Sequence, residues 1–346
     1  MSTADVTADV SHAQPLSSQV GGHAGVLSTE DGSLIIKPAL HRELEFYQHL
    51  TTNDGFADLI HYVPKFLGTL QLQGKVDTTE TEIAHAETER DGDVAVVTNV
   101  EAHVEVQKES IVLENISHTF LKPNILDIKL GTVLYAYDAS EEKKARMEKT
   151  ARETTSFETG VRLTGFQVYD NTTSVPINTP KSYGKSIKPS DLPDGISNFF
   201  PLPSPGATPN QGLPPHLLLP ILHNLLADIQ EIREVLSKIE MRMAGGSLLI
   251  VYEADWERAE EGIKKFGLTT KGREVDFDEE EEEDSDAEDS DENENKVGPP
   301  YSVKLIDFAH TFITPGEGPD PGVLVGVDTT LALLKGRIEQ VTQASA

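Results

Sequence analysis

Two residues of opposite charge stand two positions apart in a short apolar segment. Asp127 and Lys129 lie within residues 123–131, among aliphatic neighbours and just before Gly131. Side chains at i and i+2 of an extended strand leave the same face, so we expect both to point into one cleft. A carboxylate beside an ammonium suits phosphoryl transfer, in which one group contacts a hydroxyl and the other neutralises phosphate charge. A buried salt bridge is the alternative interpretation.

With the pattern P-x-x-x-D-x-K-x-G, this segment resembles the signature of the inositol polyphosphate kinase family, and its fungal multikinases in particular. Further stretches resemble the same family in the same order, namely residues 34–38, 42–47, 112–115, 246–249 and 306–311. Several ordered motifs make a more specific signal than one. The resemblance runs from about residue 20 onward between insertion-like loops. It implies an α+β, two-lobed, protein-kinase-like fold with ATP in the inter-lobe cleft.

The resemblance also implies a nucleotide site to which both lobes contribute. Lys37 contacts the nucleotide phosphates, as the strand lysine does in protein kinases. A glutamate of the following helix orients this lysine, and the sequence leaves Glu43 and Glu45 as equal candidates. The connector at Glu114 and Ile116 reads the adenine edge through its backbone groups, with a plain edge strand as the alternative.

The catalytic and metal-binding residues are implied in the same way. Asp307 resembles the aspartate of the protein-kinase D-F-G motif and holds Mg²⁺, whereas an aspartate that caps a turn is the alternative. Ser247 lies against the nucleotide. Asp127 positions either the substrate hydroxyl or the ribose. Lys129 stabilises charge near the attacking hydroxyl and the transferring phosphate, which makes Asp127 and Lys129 the predicted catalytic pair.

An anionic substrate also requires basic residues. Residues 140–152 are typical of a helix, on which Lys143, Arg146 and Lys149 recur at every third position and share roughly one face. The family places its inositol phosphate contacts in this helix, and a solvated surface helix is the alternative. With the contacts implied elsewhere, the predicted substrate-binding residues are Arg42, Lys129, Lys143, Arg146, Lys149 and His310.

The surrounding elements divide into a tail and two lobes. Residues 1–20 are small and polar, which is typical of a disordered tail. Strands at 34–37 and 110–116 and a helix at 41–50 predict an N-lobe over residues 21–116. A C-lobe is predicted over residues 117–346, with strands at 165–169, 247–252 and 304–308, a short helix at 191–200, a long helix from 218 with an apolar stripe to 243, and a closing helix at 326–341.

The net charge of −29 is unevenly distributed over the 346 residues. Fifteen of residues 274–295 are acidic and none is Lys or Arg, which predicts an acidic disordered loop at 274–296. A Pro-rich loop is predicted at 201–215. Net charge bears on solubility rather than on one specific site, so an anion pocket is still expected. A basic or transcription-factor partner is the functional alternative for the acidic loop, and no direct binding of nucleic acid is expected.

Several protein classes do not fit the sequence. The chain has no cysteine, and it lacks the H-R-D, G-x-G-x-x-G and G-x-x-x-x-G-K-[ST] motifs of ordinary protein kinases and P-loop enzymes. No apolar run approaches the ~20 residues of a membrane span. We expect a location in the nucleus and cytoplasm. The resemblance implies ATP-dependent phosphorylation of soluble inositol polyphosphates, from inositol 1,4,5-trisphosphate to the tetrakis- and pentakisphosphate. An inositol hexakisphosphate kinase, an inositol trisphosphate 3-kinase and a transcription-factor scaffold with secondary kinase activity are the alternatives.

Deletion of residues 276–294 tests the prediction of a solvated acidic loop. We expect activity on soluble inositol phosphates and the melting temperature to stay almost unchanged, because such a segment adds little apolar burial. Kinase assays and thermal melts of the deletion variant and the full chain make the comparison. A large fall in the melting temperature would contradict the prediction.

Overall fold

The computed structural model describes residues 13–16, 20, 25–75, 105–204, 206–270 and 297–345. Most of the predicted tail and the whole predicted acidic loop lie outside the described residues. Within them, the chain forms two five-stranded antiparallel sheets and a two-stranded ribbon. The two larger sheets belong to the two lobes that the sequence predicts.

The N-lobe sheet packs against one helix. Its strand order is β1-β2-β3-β5-β4, and its strands are β1 (Gln14–Pro15), β2 (Leu27–Ser28), β3 (Leu34–Pro38), β4 (Phe66–Lys75) and β5 (Glu105–Glu114). Helix α1 (His41–Thr52) buries the aromatic side chains of Phe46 and Tyr47. A 3₁₀ helix at Asp54–Tyr62 follows it.

The C-lobe sheet has the strand order β11-β10-β6-β7-β8. Its strands are β6 (Pro123–Leu130), β7 (Val161–Asp170), β8 (Val175–Thr179), β10 (Ser247–Glu253) and β11 (Tyr301–Ile306). The ribbon pairs β9 (Met241–Met243) with β12 (Thr311–Ile313). The helices are α2 (Glu141–Glu153), α3 (Ser156–Thr159), α4 (Lys181–Ser186), α5 (Leu192–Phe199), α6 (Pro215–Leu236), α7 (Trp256–Lys265) and α8 (Pro321–Ala344).

Strand β6 is central because both of its neighbours pair along nearly its whole length. Leu126, Ile128 and Leu130 are at most 1% exposed and belong to the main hydrophobic core. The alternate positions carry Asp127 and Lys129 on the opposite face, since side chains of a strand alternate. The apolar residues thus hold the strand in place while the charged pair faces the cleft.

Several element boundaries differ from the sequence-based prediction. Strand β8 and helices α4 and α7 were not predicted. The long helix ends at Leu236, so the apolar stripe to 243 was wrongly assigned to one helix. Its last members lie in the turn after α6 and in β9, where they still pack into the core. Helix α8 begins five residues earlier than predicted, at Pro321 behind the capping side chain of Asp320.

Helix α8 approaches the end of β6 through a pair of glycines. Gly160 ends α3 in the left-handed region, with φ +67°, and its carbonyl accepts a hydrogen bond from Gly131 N at 2.8 Å. A Cβ on Gly326 would lie 2.3 Å from the Gly160 carbonyl oxygen. This contact between backbones therefore requires glycine at position 326 and fixes α8 against the strand that carries Lys129.

Replacement of Gly326 by Ala tests this contact. We expect a loss of about 1–3 kcal/mol in the free energy of unfolding, seen as a fall of several degrees in the melting temperature. Gly336→Ala on the same helix is the matched control, because a Cβ there meets nothing within 4 Å. The control should be neutral or slightly stabilising, since Ala favours helix over Gly by about 1 kcal/mol. Equal melting temperatures for the two variants would contradict the close approach.

Candidate active site

A cavity lies in the cleft between the two sheets. Its apolar walls come from both lobes and include Val26, Ile35, Leu113, Ile125, Leu249 and Val251. Its polar lining includes Lys37, Glu43, Asp127 and Asp307. An apolar slot with a few charged groups at one end fits a nucleotide, with the base between the walls and the phosphates at the charges.

Lys37 joins the two lobes through two carboxylates. Its Nζ lies 2.9 Å from Oε1 of Glu43 and 2.7 Å from Oδ1 of Asp307. Burial disfavours its charge, but the carboxylates outweigh that effect and raise the pKa of Lys37 above its ordinary value. The choice that the sequence left open is resolved for Glu43, which is 1% exposed. Glu45 is exposed and lies 3.3 Å from His41 instead.

The backbone of Asp307 is held in an unusual conformation. Its φ is +67°, in the left-handed region that residues other than glycine seldom adopt. The next residue, Phe308, is fully buried and stacks on Phe46 of α1 at 3.9 Å between ring centroids. The packing of this ring fixes the turn after β11 and so directs the Asp307 carboxylate into the cleft. Such strain at a cleft residue is typical of a functional site.

Asp127 is a buried carboxylate in the floor of the same cavity. The residue is 1% exposed, and its Oδ1 has no hydrogen-bond partner among the residues that the structure describes. Burial raises the pKa of Asp127 to about 6, against the opposing charge of Lys129, and the negative charge of Asp307 adds to the rise. A carboxylate with a free acceptor atom in a cleft is suited to receive a donor from a ligand.

Lys129 follows Asp127 on β6, and Ser247 lies on the neighbouring strand β10. Lys129 Nζ donates to the Gly245 carbonyl at 2.6 Å, which holds the ammonium at the end of β6. Ser247 pairs in register with Lys129. Ser247 is fully buried and is not part of the cavity lining. Leu249 and Val251 of the same strand line the cavity instead, and the contact of Ser247 with the nucleotide stays a prediction.

The connector after β5 borders the apolar end of the cavity. Glu114 and Ile116 both line it, as predicted. The Glu114 side chain accepts from Lys65 N at 3.0 Å, and the Glu114 amide donates to the Lys65 carbonyl. No hydrogen bond joins the amide of Ile116 to another described residue. The Ile116 amide is thus available for a base edge, whereas the Glu114 side chain and amide are already used.

Arg42 and His310 both lie near Asp138, and neither of them lines the cavity. The Arg42 guanidinium stacks on Phe312 at 3.8 Å from the ring centroid and donates to Asp138 Oδ2 at 3.2 Å. This hydrogen bond lowers the pKa of Asp138, and the nearby His310 contributes to the same shift. The structure thus brings together two of the predicted substrate contacts, and it adds Asp138 and Phe312, which the sequence did not indicate.

Helix α2 presents its basic residues unequally. Lys143 is half-buried, whereas Arg146 and Lys149 are exposed, and Lys149 lies 3.8 Å from Glu153. Among the described elements, the strongest packing of α2 is against α3. Spacing by three residues rotates progressively around a helix, which explains why the three side chains do not share one environment. Their substrate contacts stay predictions, and Lys143 is the least exposed of the three.

The sequence is similar to that of known kinases. A sequence profile of the inositol polyphosphate kinase family matches residues 110–335. The chain belongs to that family. It is 34% identical to the inositol polyphosphate multikinase of Saccharomyces cerevisiae over 359 aligned positions, which cover 93% of this chain and 98% of the relative. Mouse inositol hexakisphosphate kinase 3 is 31% identical over 65% of this chain and half of its own length.

A solved structure supports the fold. The crystal structure of an inositol phosphate multikinase from Saccharomyces cerevisiae in complex with ADP and Mn²⁺ superposes with a TM-score of 0.60 and 28% identity. The superposition covers 89% of this chain and 100% of the yeast chain. The predicted two-lobed fold and the predicted family are confirmed. As a member of this family, the chain is an inositol phosphate kinase.

Substitution of Glu43 tests the geometry at Lys37. Glu43→Gln keeps the side-chain volume but removes one of the two carboxylate charges that contact Lys37. We expect a fall in kcat/KM of about ten-fold, since hydrogen bonds between charged groups contribute about 1.5–3 kcal/mol. Glu45→Gln on the same helix is the control, with a change below about two-fold. The assignment of Glu43 would be overturned if the Glu45 variant lost more activity.

Proposed function

We propose that this chain transfers the γ-phosphate of ATP to hydroxyls of inositol 1,4,5-trisphosphate and then of the tetrakisphosphate. The observation that carries the proposal is the placement of the Lys37–Asp307 pair beside buried Asp127, with Lys129 next to it. Lys37, Asp307 and Asp127 line the nucleotide cavity, whereas Lys129 does not. Alignment over 93% of the chain with a yeast multikinase supports the choice of substrate.

The charged end of the cavity fits a divalent cation bound together with nucleotide phosphates. Within the described ranges, no three His, Asp or Glu side chains form a metal site by themselves. Asp307, which is 16% exposed, and the free oxygen of Asp127 are hard carboxylate donors of the kind Mg²⁺ prefers. Asp307 would hold the ion, and phosphate oxygens and water would complete its shell. When bound, Mg²⁺ would neutralise charge on the transferring phosphate. The related yeast structure contains ADP and Mn²⁺.

The residues of the chain itself position and polarise the reactants. Lys37 would contact nucleotide phosphates while Glu43 keeps it oriented. Asp127 would accept a hydrogen bond from the attacking hydroxyl, and Lys129 would stabilise the charge that develops between the two substrates. A loose transition state for phosphoryl transfer needs little help from a strong base, so orientation and charge are sufficient.

Inositol hexakisphosphate kinase activity is the second candidate. It is favoured by the 31% identity to mouse inositol hexakisphosphate kinase 3, although this match covers only half of that protein. A basic or transcription-factor partner and a location in the nucleus and cytoplasm stay predictions. None of the described helices is long and apolar enough to cross a membrane.

Incubation of the purified chain with ATP, Mg²⁺ and a panel of inositol phosphates tests the proposal. We expect inositol trisphosphate to be converted to tetrakis- and pentakisphosphate, measured by separation of the products. Asp307→Asn, which keeps the volume but removes a charge from the nucleotide end, should lose at least about 100-fold in turnover, a loss of ~2.7 kcal/mol.

Two results would contradict the proposal in different ways. Conversion of hexakisphosphate to a more highly phosphorylated product, with trisphosphate left unchanged, would support the second candidate instead. Activity of the Asp307→Asn variant within a few-fold of the wild type would remove Asp307 from the site, even if the substrate were correctly assigned. Circular dichroism of the variant checks that its fold is retained.

A further inference from the structure

Arg162 is a cation in the cleft region that none of the contacts described so far explains. It lies on β7 in register with Lys129 of β6, so the two side chains leave the sheet on the same face. Its Nη1 is enclosed by the protein and has no hydrogen-bond partner in the described ranges. No carboxylate of the described residues lies close enough to form an ion pair with it.

An unpaired guanidinium in such a place is unfavourable for folding. Burial lowers the pKa of Arg162, and the charge of Asp127 only partly opposes this effect. Burial of a charge is costly unless partners replace water, and arginine offers five donors. A site of this kind fits a partner that is anionic and comes from outside the described part of the chain.

Two other partly buried arginines show what a structural role looks like in this protein. Arg337 donates from Nε and Nη2 to the Phe200 carbonyl, at 3.1 and 2.7 Å. Arg242 donates to the carbonyls of Met241, Glu317 and Gly318. Both arginines thus stabilise the packing of loops against helices or strands. The Arg162 guanidinium makes no such hydrogen bond to a described residue, so its position has no structural explanation of this type.

The position of Arg162 in the sheet separates it from the nucleotide. On its C-lobe side the cavity is lined by residues of β11, β10 and β6, and none of its lining residues comes from β7. Arg162 therefore lies one strand beyond Asp127, on the side away from the Lys37–Asp307 pair. An anion at Arg162 would be adjacent to Lys129 and separate from the phosphates held at Lys37.

We propose that Arg162 binds a phosphate group of the inositol polyphosphate, next to the hydroxyl that Asp127 and Lys129 contact. The proposal rests on the proposed function and names one further substrate contact within it. A planar guanidinium can bind a phosphate through two parallel hydrogen bonds, which lysine cannot reproduce. Arg162 thus favours substrates that carry a phosphate beside the accepting hydroxyl.

Kinetics and thermal melts of Arg162→Met, Arg162→Lys and Arg337→Met test the proposal. For Arg162→Met we expect KM for inositol trisphosphate to rise about ten-fold or more, with KM for ATP within two-fold. Its melting temperature should be unchanged or higher, because the variant removes a partly buried charge that has no partner among the described residues. Arg162→Lys should fall between wild type and Met. Arg337→Met is the matched control and should lower the melting temperature with both KM values unchanged.

The outcomes separate this proposal from the proposed function. If the wild type is active and Arg162→Met keeps its KM for inositol trisphosphate, only the role of Arg162 is overturned. A fall in melting temperature as large as that of Arg337→Met would make Arg162 structural and would also overturn it. If the wild type neither phosphorylates nor binds any inositol phosphate, as measured by calorimetry without nucleotide, the proposed function itself fails.

Discussion

The ion pair between Lys37 and Asp307 is the constraint on which the cleft depends. It connects β3 of one lobe to the end of β11 in the other, across 270 positions of the chain. Such a partly buried pair adds little net stability, because desolvation offsets most of the attraction between the charges. It is highly directional, however, and the left-handed backbone at Asp307 and the buried ring of Phe308 both fix where its carboxylate points. The pair therefore sets the position of the two lobes relative to each other more than it strengthens the fold.

The same constraint explains the distribution of charge in the cleft. Lys37 sits between two carboxylates, whereas Lys129 relies on Asp127 and a backbone carbonyl. Each cation is thus held without being neutralised by a dedicated bidentate partner. An incoming phosphate can exchange with these contacts at a small energetic cost, since a hydrogen bond to a charged group is replaced by another of the same kind. The net charge of −29 has little influence here, because local groups determine the field at a cleft of this size.

The sequence predicted those parts of the site that depend on local periodicity. The common face of Asp127 and Lys129 follows from strand alternation alone, and the strand position of Lys37 follows from the apolar residues beside it. The predicted strand at 304–308 was too long, because β11 ends at Ile306 and Asp307 lies in the turn that follows. Glu43 and Glu45 were indistinguishable because both lie on α1, and only the rotation of that helix buries one of them. The end of α6 was misplaced because the same apolar stripe continues into β9.

The sequence analysis did not identify Arg162 because its position depends on the pairing register of two strands. The pairing of β6 with β7 shifts by one residue between Asp127 and Ile128. Without this bulge, Lys129 would face Leu163, and Arg162 would not lie beside it. Such a register shift depends on tertiary packing and leaves no periodic signal in the sequence. Ser247, Leu249 and Val251 share one face of β10, and how far along that face the cavity extends likewise depends on tertiary packing.

The glycine contact between residues 160 and 326 has a consequence for how the protein is made. Strand β6 pairs with β7 and β10, both of which follow it in the chain, and its end is fixed by α8 at residues 321–344. During synthesis, the strand that carries Asp127 and Lys129 therefore leaves the ribosome roughly 200 residues before its last packing partner. The active cleft is completed only after α8 has been made, so a nascent chain would hold an incompletely packed apolar strand in the meantime. An mRNA truncated upstream of the codon for Gly326 would then yield chains that lack kinase activity although they contain the signature segment.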